Sequence, residues 1–409
     1  MTKLMTNRQL ALHIIRQLRR EGFQAYFAGG CVRDMLLGKR AKDYDVATDA
    51  HPEQVIGIFP RTIKVGAKFG VVMVMAGKIT VEVATFRTEA GYFDGRHPSK
   101  VEFADVREDA VRRDFTINGL YYDPIEKKVI DFVKGQRDLK RKIIRAIGEP
   151  GHRFGEDYLR MLRAVRFSTR FGYKIEKNTW AAICHNVPKI KNISRERIAI
   201  ELEGILTNPN RAQGARLFVK SGLAHNIFDG LKTKDAGMGI EVLASLGRSV
   251  DLALSLAAFF CKLDSAKAFG YCKTLKLSND QLKDIKFLLD HRGVLNKPDL
   301  PLASLKVILA SPYFNDLYSL ESSILKADGK SLSNLAKLRK RAKALIGSDL
   351  TPAPLLDGHE LISIGATSGP QVGLLSKELY VAQLSEHIHT KAQAKEWAEN
   401  WLGKHKNHQ

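Results

Sequence analysis

Phe27-Ala28-Gly29-Gly30-Cys31-Val32-Arg33-Asp34-Met35-Leu36-Leu37-Gly38, with Asp43-Tyr44-Asp45-Val46-Ala47-Thr48 soon after it, is the stretch that decides what kind of fold this chain has. An apolar strand runs into paired glycines and then into an amphipathic helix. Two glycines, Gly29 and Gly30, let the backbone approach a ligand closely, the helix that follows presents free N–H groups, and Arg33 adds a fork of donors suited to phosphate oxygens. A tight strand-to-helix turn in which Arg33 pairs with Asp34 is the plainer alternative. In the second segment the acids lie two apart in an extended stretch, so period-two alternation puts Asp43 and Asp45 on one face. Like charges held that close repel unless a divalent cation neutralises them, and oxygen ligands with open positions suit magnesium bound together with substrate phosphates. A solvated turn is again the alternative.

A third acid follows in Ile79-Thr80-Val81-Glu82-Val83-Ala84-Thr85, where Ile79, Val81 and Val83 face one way and Glu82 the other. Glu82 is thus either a solvated strand residue or a partner for the aspartates. Around these segments, helical periodicity over Leu10 to Arg20 and β-rich runs over Gln24 to Ala28, Val71 to Met75 and Ile79 to Thr85 predict an α+β unit, with a small sheet flanked by helices, up to about Arg145. From about Phe154 the strand signals nearly vanish. Apolar residues recur at helical spacing over Tyr158 to Phe171, Arg195 to Leu206 and Leu252 to Leu263, which predicts an all-helical remainder. Breaks are expected at Gly148-Glu149-Pro150-Gly151, over Asp229 to Met238 and at Thr351-Pro352-Ala353-Pro354; the polar end, Lys404 to Gln409, is expected to fray.

Two further clusters carry chemistry. Arg112-Arg113-Asp114-Phe115-Thr116-Ile117-Asn118 mixes cations, an acid and an amide, which suits the phosphates and ribose hydroxyls of a nucleotide or, equally, a capped helix start with solvated arginines. The second is Phe154 to Phe171, with Glu156, Asp157, Arg160, Arg163, Arg166 and Arg170. As one helix at about 100° per residue it sets Asp157 and Arg160 roughly 60° apart, so both reach one ligand or simply pair with each other.

The 409 residues suggest about three compact units at roughly 150 residues each. Sixty-five Lys plus Arg against 44 Asp plus Glu leave a net charge of +21, which favours a polyanionic partner, nucleic acid before a lipid surface. Cys31, Cys184, Cys261 and Cys272 lie far apart with no C-x-x-C pair, so neither a disulfide framework nor a cysteine zinc site is expected, and a cytoplasmic location fits. The first residues lack the apolar segment of a secretory signal, and no apolar run is long enough to span a bilayer, so no membrane role is expected.

Taken together the motifs resemble the bacterial-type (class II) tRNA nucleotidyltransferase and poly(A) polymerase family. They occur in that family's order: Gly29-Gly30-x-x-Arg33-Asp34, Asp43-x-Asp45, Arg112-Arg113-Asp114-Phe115-Thr116-x-Asn118, and Glu156-Asp157-x-x-Arg160 with its arginine-rich continuation. Val65-Gly66-x-x-Phe69-Gly70, Thr85-Phe86-Arg87, Tyr92-x-Asp94-Gly95-Arg96-His97-Pro98 and the later Leu355-Leu356-Asp357-Gly358-x-x-Leu361-Ile362 also look like the family. The resemblance implies a nucleotidyltransferase head over 1–145, a helical neck over 146–231, a body over 232–348 and a tRNA-binding tail over 349–409. It further implies two magnesium ions on Asp43 and Asp45, with Glu82 the third carboxylate. Gly29, Gly30 and Arg33 would bind the triphosphate, and Arg112, Asp114 and Asn118 the ribose and phosphates. Asp157, Arg160, Arg163 and Arg166 would complete the nucleotide site. The implied activity is transfer of C, A or both from CTP and ATP to the tRNA 3′ end, with poly(A) synthesis as the runner-up and a non-catalytic RNA-binding protein as the reading from another class.

The Asp157 and Arg160 pair has a physical logic for base choice. C and A each show an amine donor beside a ring-nitrogen acceptor, which an aspartate and an arginine complement; G and U show a carbonyl beside an N–H and would leave groups unpaired. Where some relatives carry a His-Asp metal site, this chain has Cys261-Lys262-Leu263-Asp264, so no second hydrolytic site is expected. No protein partner is inferable.

Overall fold

The chain enters through helix α1, Asn7–Arg20, whose start is fixed by a capping box between Thr6 and Gln9 and whose apolar stripe buries Leu10, Ala11, Ile14, Ile15 and Leu18. This computed structural model describes residues 5–64, 69–92, 98–345 and 347–405. The Val65, Gly66 and residue 93–97 parts of the family resemblance lie outside the described residues, as do the last four; Lys404 and His405, expected to fray, close a helix that begins at Lys391.

α1 packs on strands β1 (Ala25–Ala28), β2 (Asp45–Thr48) and β5 (Ile79–Thr85). With β3 (Thr62–Ile63), β4 (Val71–Ala76), a hairpin of β6 (Arg87–Tyr92) and β7 (Pro98–Phe103), then β8 (Leu120–Asp123) and β9 (Lys128–Asp131), they make up the strands as far as Asp131. The main sheet runs β3-β4-β5-β2-β1-β8-β9. All its pairs are antiparallel except β2 with β5, where Val46 lies beside Val83 and Ala47 beside Ala84. That register makes one row of Tyr122, Phe27, Val46, Val83 and Val72 across five strands. Residues of the opposite parity, Asp45 and Ala47 on β2, Glu82 and Ala84 on β5 and Ala28 on β1, share the other face. The expected alternation of Ile79 to Thr85 holds, with Val81 and Val83 buried and Glu82 exposed.

Behind that second face Tyr26, Ala28, Ala47, Phe86, Ala110 and Tyr121 form a buried cluster, covered by helix α4 (Val106–Val111) after α2 (Gly30–Leu36) and α3 (Pro52–Ile58). Asp109 of α4 is only 1% exposed. It accepts hydrogen bonds from Arg112 at 2.6 and 2.8 Å, from Arg113 at 3.1 and 3.3 Å and from the Tyr121 hydroxyl. One carboxylate thus ties the end of α4 to the middle of the sheet. Burial alone would push it up, but the Arg113 and Arg112 guanidiniums and the Tyr121 hydroxyl overcome this and hold it down to about 2.

After α5 (Gly135–Arg141) the two-residue strand β10 (Ile143–Ile144) pairs in parallel with β11 (Lys174–Ile175), a strand that helical periodicity did not foretell. Helix α6 (Pro150–Glu156) starts on an N-cap from Glu149 with Pro150 at its first position. The expected single helix through Phe171 is broken at Asp157, which is extended at φ −152°, ψ 104°, and α7 spans Leu159–Phe171. α8 (Lys177–Asn186), α9 (Arg195–Leu206) and α10 (Arg211–Lys220) follow, with α7 packed on α9 and α10.

The chain divides into two compact units, Met1–Ala236 with Thr274–Lys276, and Gly237–Lys273 with Leu277–Gln409. The second is helical throughout its described residues, and its later helices enclose a core of Leu356, Leu361, Leu375, Leu379, Trp401 and their neighbours. Among the described residues no helix is long and apolar enough to cross a membrane.

Removing one member of a buried charge network leaves the others uncompensated. Asp109→Asn is therefore expected to lower stability by about 3 kcal/mol in urea unfolding. The sign with pH follows from the depressed carboxyl: its contribution is complete above the ordinary aspartate value of about 4 and is lost as pH falls toward about 2. The acid limb of the stability curve should flatten in the variant.

Candidate active site

The Gly29-Gly30 turn, the exposed ends of β2 and β5, and the arginine faces of α7 and α9 enclose a cavity of about 560 Å³. Gly29 caps α2 at φ 67°, a backbone setting that side chains disfavour. A Cβ there would stand 2.8 Å from Nη1 of Arg113. The positive φ is what calls for glycine here, and the turn passes close to that guanidinium.

The floor is built from small residues and acids. Ala28, Ala47 and Ala84 line it and leave room for Asp45 and Glu82, which the parallel register sets side by side. Asp45 keeps contact with solvent, yet the cavity walls strip enough water from it to push its carboxyl up to about 6, helped by Glu82 and Asp43 and opposed by Arg113. Asp43 is exposed just before β2 and does not line the cavity. The donor set of Asp43, Asp45 and Glu82 is all oxygen, and its mutual repulsion is of the kind a hard divalent cation relieves. No group of three or more metal-type side chains close enough to form a complete cage occurs among the described residues. Two carboxylates with further ligands from substrate phosphates are what magnesium tolerates, so the residues fit that ion with substrate present.

The walls are cationic: nine arginines line the cavity with only four carboxylates, Asp45, Glu82, Asp114 and Asp157. Each guanidinium is oriented by a partner. Arg33 is 3% exposed, donates to Asp34 at 2.8 Å and to the Asn118 side-chain oxygen, and lies 4.7 Å from the Phe171 ring centre. The plainer sequence alternative, an Arg33–Asp34 pair, is therefore present, and it holds Arg33 at the cavity wall. Asp34 also takes Arg170 at 3.1 Å. Asp114 accepts from Nε and Nη2 of Arg163 at 2.9 and 2.7 Å and from the Asn118 amide at 3.0 Å. Burial works against its charge, but Arg163 and Asn118 prevail and hold the carboxyl below the ordinary range. Arg112, expected as a solvated or ligand-binding residue at a helix start, instead follows the last turn of α4 and pairs with Asp109.

The Asp157 and Arg160 geometry departs from the single-helix reading. The break in the chain turns Asp157 away from Arg160 and toward α9, where Arg197 donates to it at 2.6 Å. Arg160 pairs with Glu156 one turn back and donates to the Arg153 carbonyl at 2.9 Å. Both residues still face the cavity, so the pairing of the two with each other, one of the sequence alternatives, is not made. Arg163 and Arg166 also line it; Arg166 reaches Glu201 at 2.5 Å and lies against Gly204, where a Cβ would come within 2.5 Å of its Cδ.

The structure brings Gly29, Gly30, Arg33, Asp45, Glu82, Arg112, Asp114, Asn118, Asp157, Arg160, Arg163 and Arg166 of the sequence reading to one cavity, together with Arg113 and Arg170 of the same clusters; Arg87 and Arg197 were missed as lining residues. Asp109 and Glu201, the acids behind the wall, were missed too. The i,i+4 spacing of Arg197 and Glu201 was the available signal: on a helix it puts both on the face that meets α7.

The family described as "Poly A polymerase head domain" matches residues 25–145, and "Probable RNA and SrmB- binding site of polymerase A" matches 172–234. The CCA-adding enzyme of Geobacillus thermodenitrificans is 45% identical over 217 residues, 53% of this chain and 54% of that protein. The CCA-adding enzyme of Lactobacillus johnsonii is 33% identical over 386 residues, 91% of this chain and 92% of that one. The match thus spans about half of the first relative and nearly all of the second. The crystal structure of the Bacillus stearothermophilus CCA-adding enzyme in complex with CTP aligns with a TM-score of 0.79 at 30% identity, over 99% of this chain and 100% of that one. With a glycine turn, paired carboxylates and an arginine wall in one cleft, and full-length likeness of sequence and fold, the chain belongs to the CCA-adding enzyme family of class II tRNA nucleotidyltransferases, which shares its head with poly(A) polymerases.

Proposed function

We propose that this chain adds C and A to the 3′ end of tRNA from CTP and ATP, releasing pyrophosphate, and that it selects bases with its own side chains. The observation that carries the proposal is the pairing of Asp45 with Glu82 at the floor of a cavity whose walls hold nine arginines. Acids at one end and oriented cations at the other suit a triphosphate whose α-phosphorus must meet a hydroxyl beside metal-binding carboxylates.

In the proposed reaction the RNA 3′-oxygen bonds to the α-phosphorus, the bond to the bridging oxygen of pyrophosphate breaks, and the hydroxyl proton passes to solvent. Asp43 and Asp45 would hold magnesium, with Glu82 beside them; when bound, the metal supplies charge neutralisation and a more acidic 3′-hydroxyl. The Gly29-Gly30 turn and Arg33 bind phosphate oxygens. Arg112, Asp114 and Asn118, already locked by Asp109 and Arg163, meet the ribose and phosphates without rearranging, which is the advantage of a preorganised site. Arg163 and Arg166 complete the wall. Asp157 accepts from the exocyclic amine of C or A, and Arg160 donates to the neighbouring ring nitrogen. The same proposal assigns the head to 1–145, the neck to 146–231, the body to 232–348 and the tRNA-holding tail to 349–409. It places the work in the cytoplasm, in keeping with four free cysteines.

Three labelled tRNAs, ending before CCA, after C and after CC, incubated with each nucleotide and magnesium, test the activity. Extension of all three to CCA is expected. Extension of the CC-ended tRNA alone makes the chain an A-adding enzyme, an untemplated A ladder makes it a poly(A) polymerase, and no product leaves only RNA binding. The Asp43→Ala, Asp45→Ala double variant should give no product in any lane. In Asp157→Asn the amide no longer presents two acceptors, so discrimination against G and U should drop by about ten- to a hundredfold; a slower enzyme with unchanged selectivity would remove Asp157 from this role.

Asp45 adds a pH test. With its carboxyl raised to about 6, the metal-free folded protein holds a proton that the unfolded chain has lost, so stability should fall as pH rises from about 4 to about 6. Melting temperatures in chelator should show this slope in the wild type and not in Asp45→Asn, and millimolar magnesium should remove it.

A further inference from the structure

A second cavity, of about 620 Å³, lies in the first unit where the start of α1 meets the segment leading into β2. It shares no described lining residue with the nucleotide cavity. Arg8 reaches it from α1, and Arg40, Lys42 and Tyr44 from the segment before β2. Tyr44 has the parity opposite to Asp45 and packs edge-on against Phe27, with ring centres 5.3 Å apart, so it faces away from the nucleotide cavity. Two features mark the cavity as one for an anion. The side chains of Arg8, Arg40 and Lys42 are exposed and have no carboxylate or hydrogen-bond partner among the described residues, unlike the paired arginines of the nucleotide cavity. Tyr44 is only 8% exposed, yet its hydroxyl has no hydrogen-bond partner among the described residues, where a buried tyrosine ordinarily finds one. The 14-residue helix α1 adds its positive end, and Met5, Ala41 and Ile79 supply an apolar wall.

We infer that this cavity binds a small phosphate monoester: a dianionic head for the three cations and the Tyr44 hydroxyl, and a compact apolar or aromatic body for the wall. Its volume is that of a small-molecule pocket, and three converging donors match the terminal oxygens of a phosphate. Residues 39–44 lie outside helix and strand. They are tied to α1 by the Asn7 side-chain amide, which donates to the Lys42 carbonyl at 3.4 Å, a long bond. A ligand held by Arg8 on one side and by Arg40 and Lys42 on the other joins α1 to the segment that ends on Asp43. It therefore stiffens the approach to the carboxylates from behind the sheet, without entering the nucleotide cavity.

The test is amide hydrogen exchange and calorimetry on the full chain, with AMP as the probe, CTP and magnesium filling the nucleotide cavity, and no RNA present. AMP should bind and slow exchange across residues 39–44. Arg8→Gln and Arg40→Gln combined should weaken that binding by about tenfold or more and remove the added protection, and Tyr44→Phe should weaken it by about three- to tenfold. Both arginines are exposed and neither lines the nucleotide cavity, so the melting temperature and CTP affinity of the double variant should match the wild type. Inorganic phosphate should displace AMP, and adenosine should not bind here. Absence of AMP protection over 39–44 in the wild type overturns the inference, as does unchanged AMP binding in the folded double variant. Adenosine binding as tightly as AMP overturns it too, because the cavity would then be an apolar pocket indifferent to phosphate. The 39–44 readout and the double variant decide the matter whether or not CTP binds, so a failure here is distinct from a failure of the proposed activity.

Discussion

Nine guanidiniums drawn into one cavity of about 560 Å³ repel one another, and the first unit is arranged around relieving that repulsion. The counter-charges mostly stand behind the wall. Asp109 serves Arg112 and Arg113, Asp34 serves Arg33 and Arg170, Glu156 serves Arg160, and Glu201 serves Arg166. None of these four acids lines the cavity, so each arginine is gripped from the rear and turns its remaining N–H groups inward. Buried ion pairs of this kind add little net stability against an apolar replacement. What they supply is position, and position is what a phosphate-binding wall needs if it is not to reorganise when charge arrives.

The same pairs join segments far apart in the chain. Arg163 of α7 reaches back to Asp114, and Arg153 of α6 donates to the carbonyls of Val111 and Arg112. Together with the two-residue pairing of β10 and β11, these contacts fix the arginine helices against the sheet. The floor and wall of the cavity are therefore set by one network, and the charges of the wall are largely matched within it.

Local pattern made much of this legible. Period-two alternation turned Glu82 away from the apolar face of its strand, the glycine pair marked the turn under Arg113, and helical periodicity found α1, α7 and α9. It failed where non-local contacts decide. Phe154 to Phe171 has continuous helical spacing, yet the chain breaks at Asp157, whose carboxylate accepts from the Leu159 N–H beside it and from Arg197, forty residues later. Asp109 sits in a short helix with Glu108 and looks like any solvated acid until Tyr121 and two arginines close over it. Strands β8 and β9 are four residues each, too short for alternation to speak; β9 pairs with β8, and β8 in turn takes up the open edge of β1.

That edge has a consequence for how the protein is made. β1 is buried along its whole length and lies between β2, which follows it closely, and β8, which pairs Tyr122 with Phe27. A chain synthesised from its N-terminus therefore carries an apolar strand with one unsatisfied side until the segment beyond Leu120 has left the ribosome. Such an edge is a template for pairing with other chains. Ribosome pausing or chaperone binding within that interval would bear directly on yield, and a fragment ending before β8 would be a seed for aggregation.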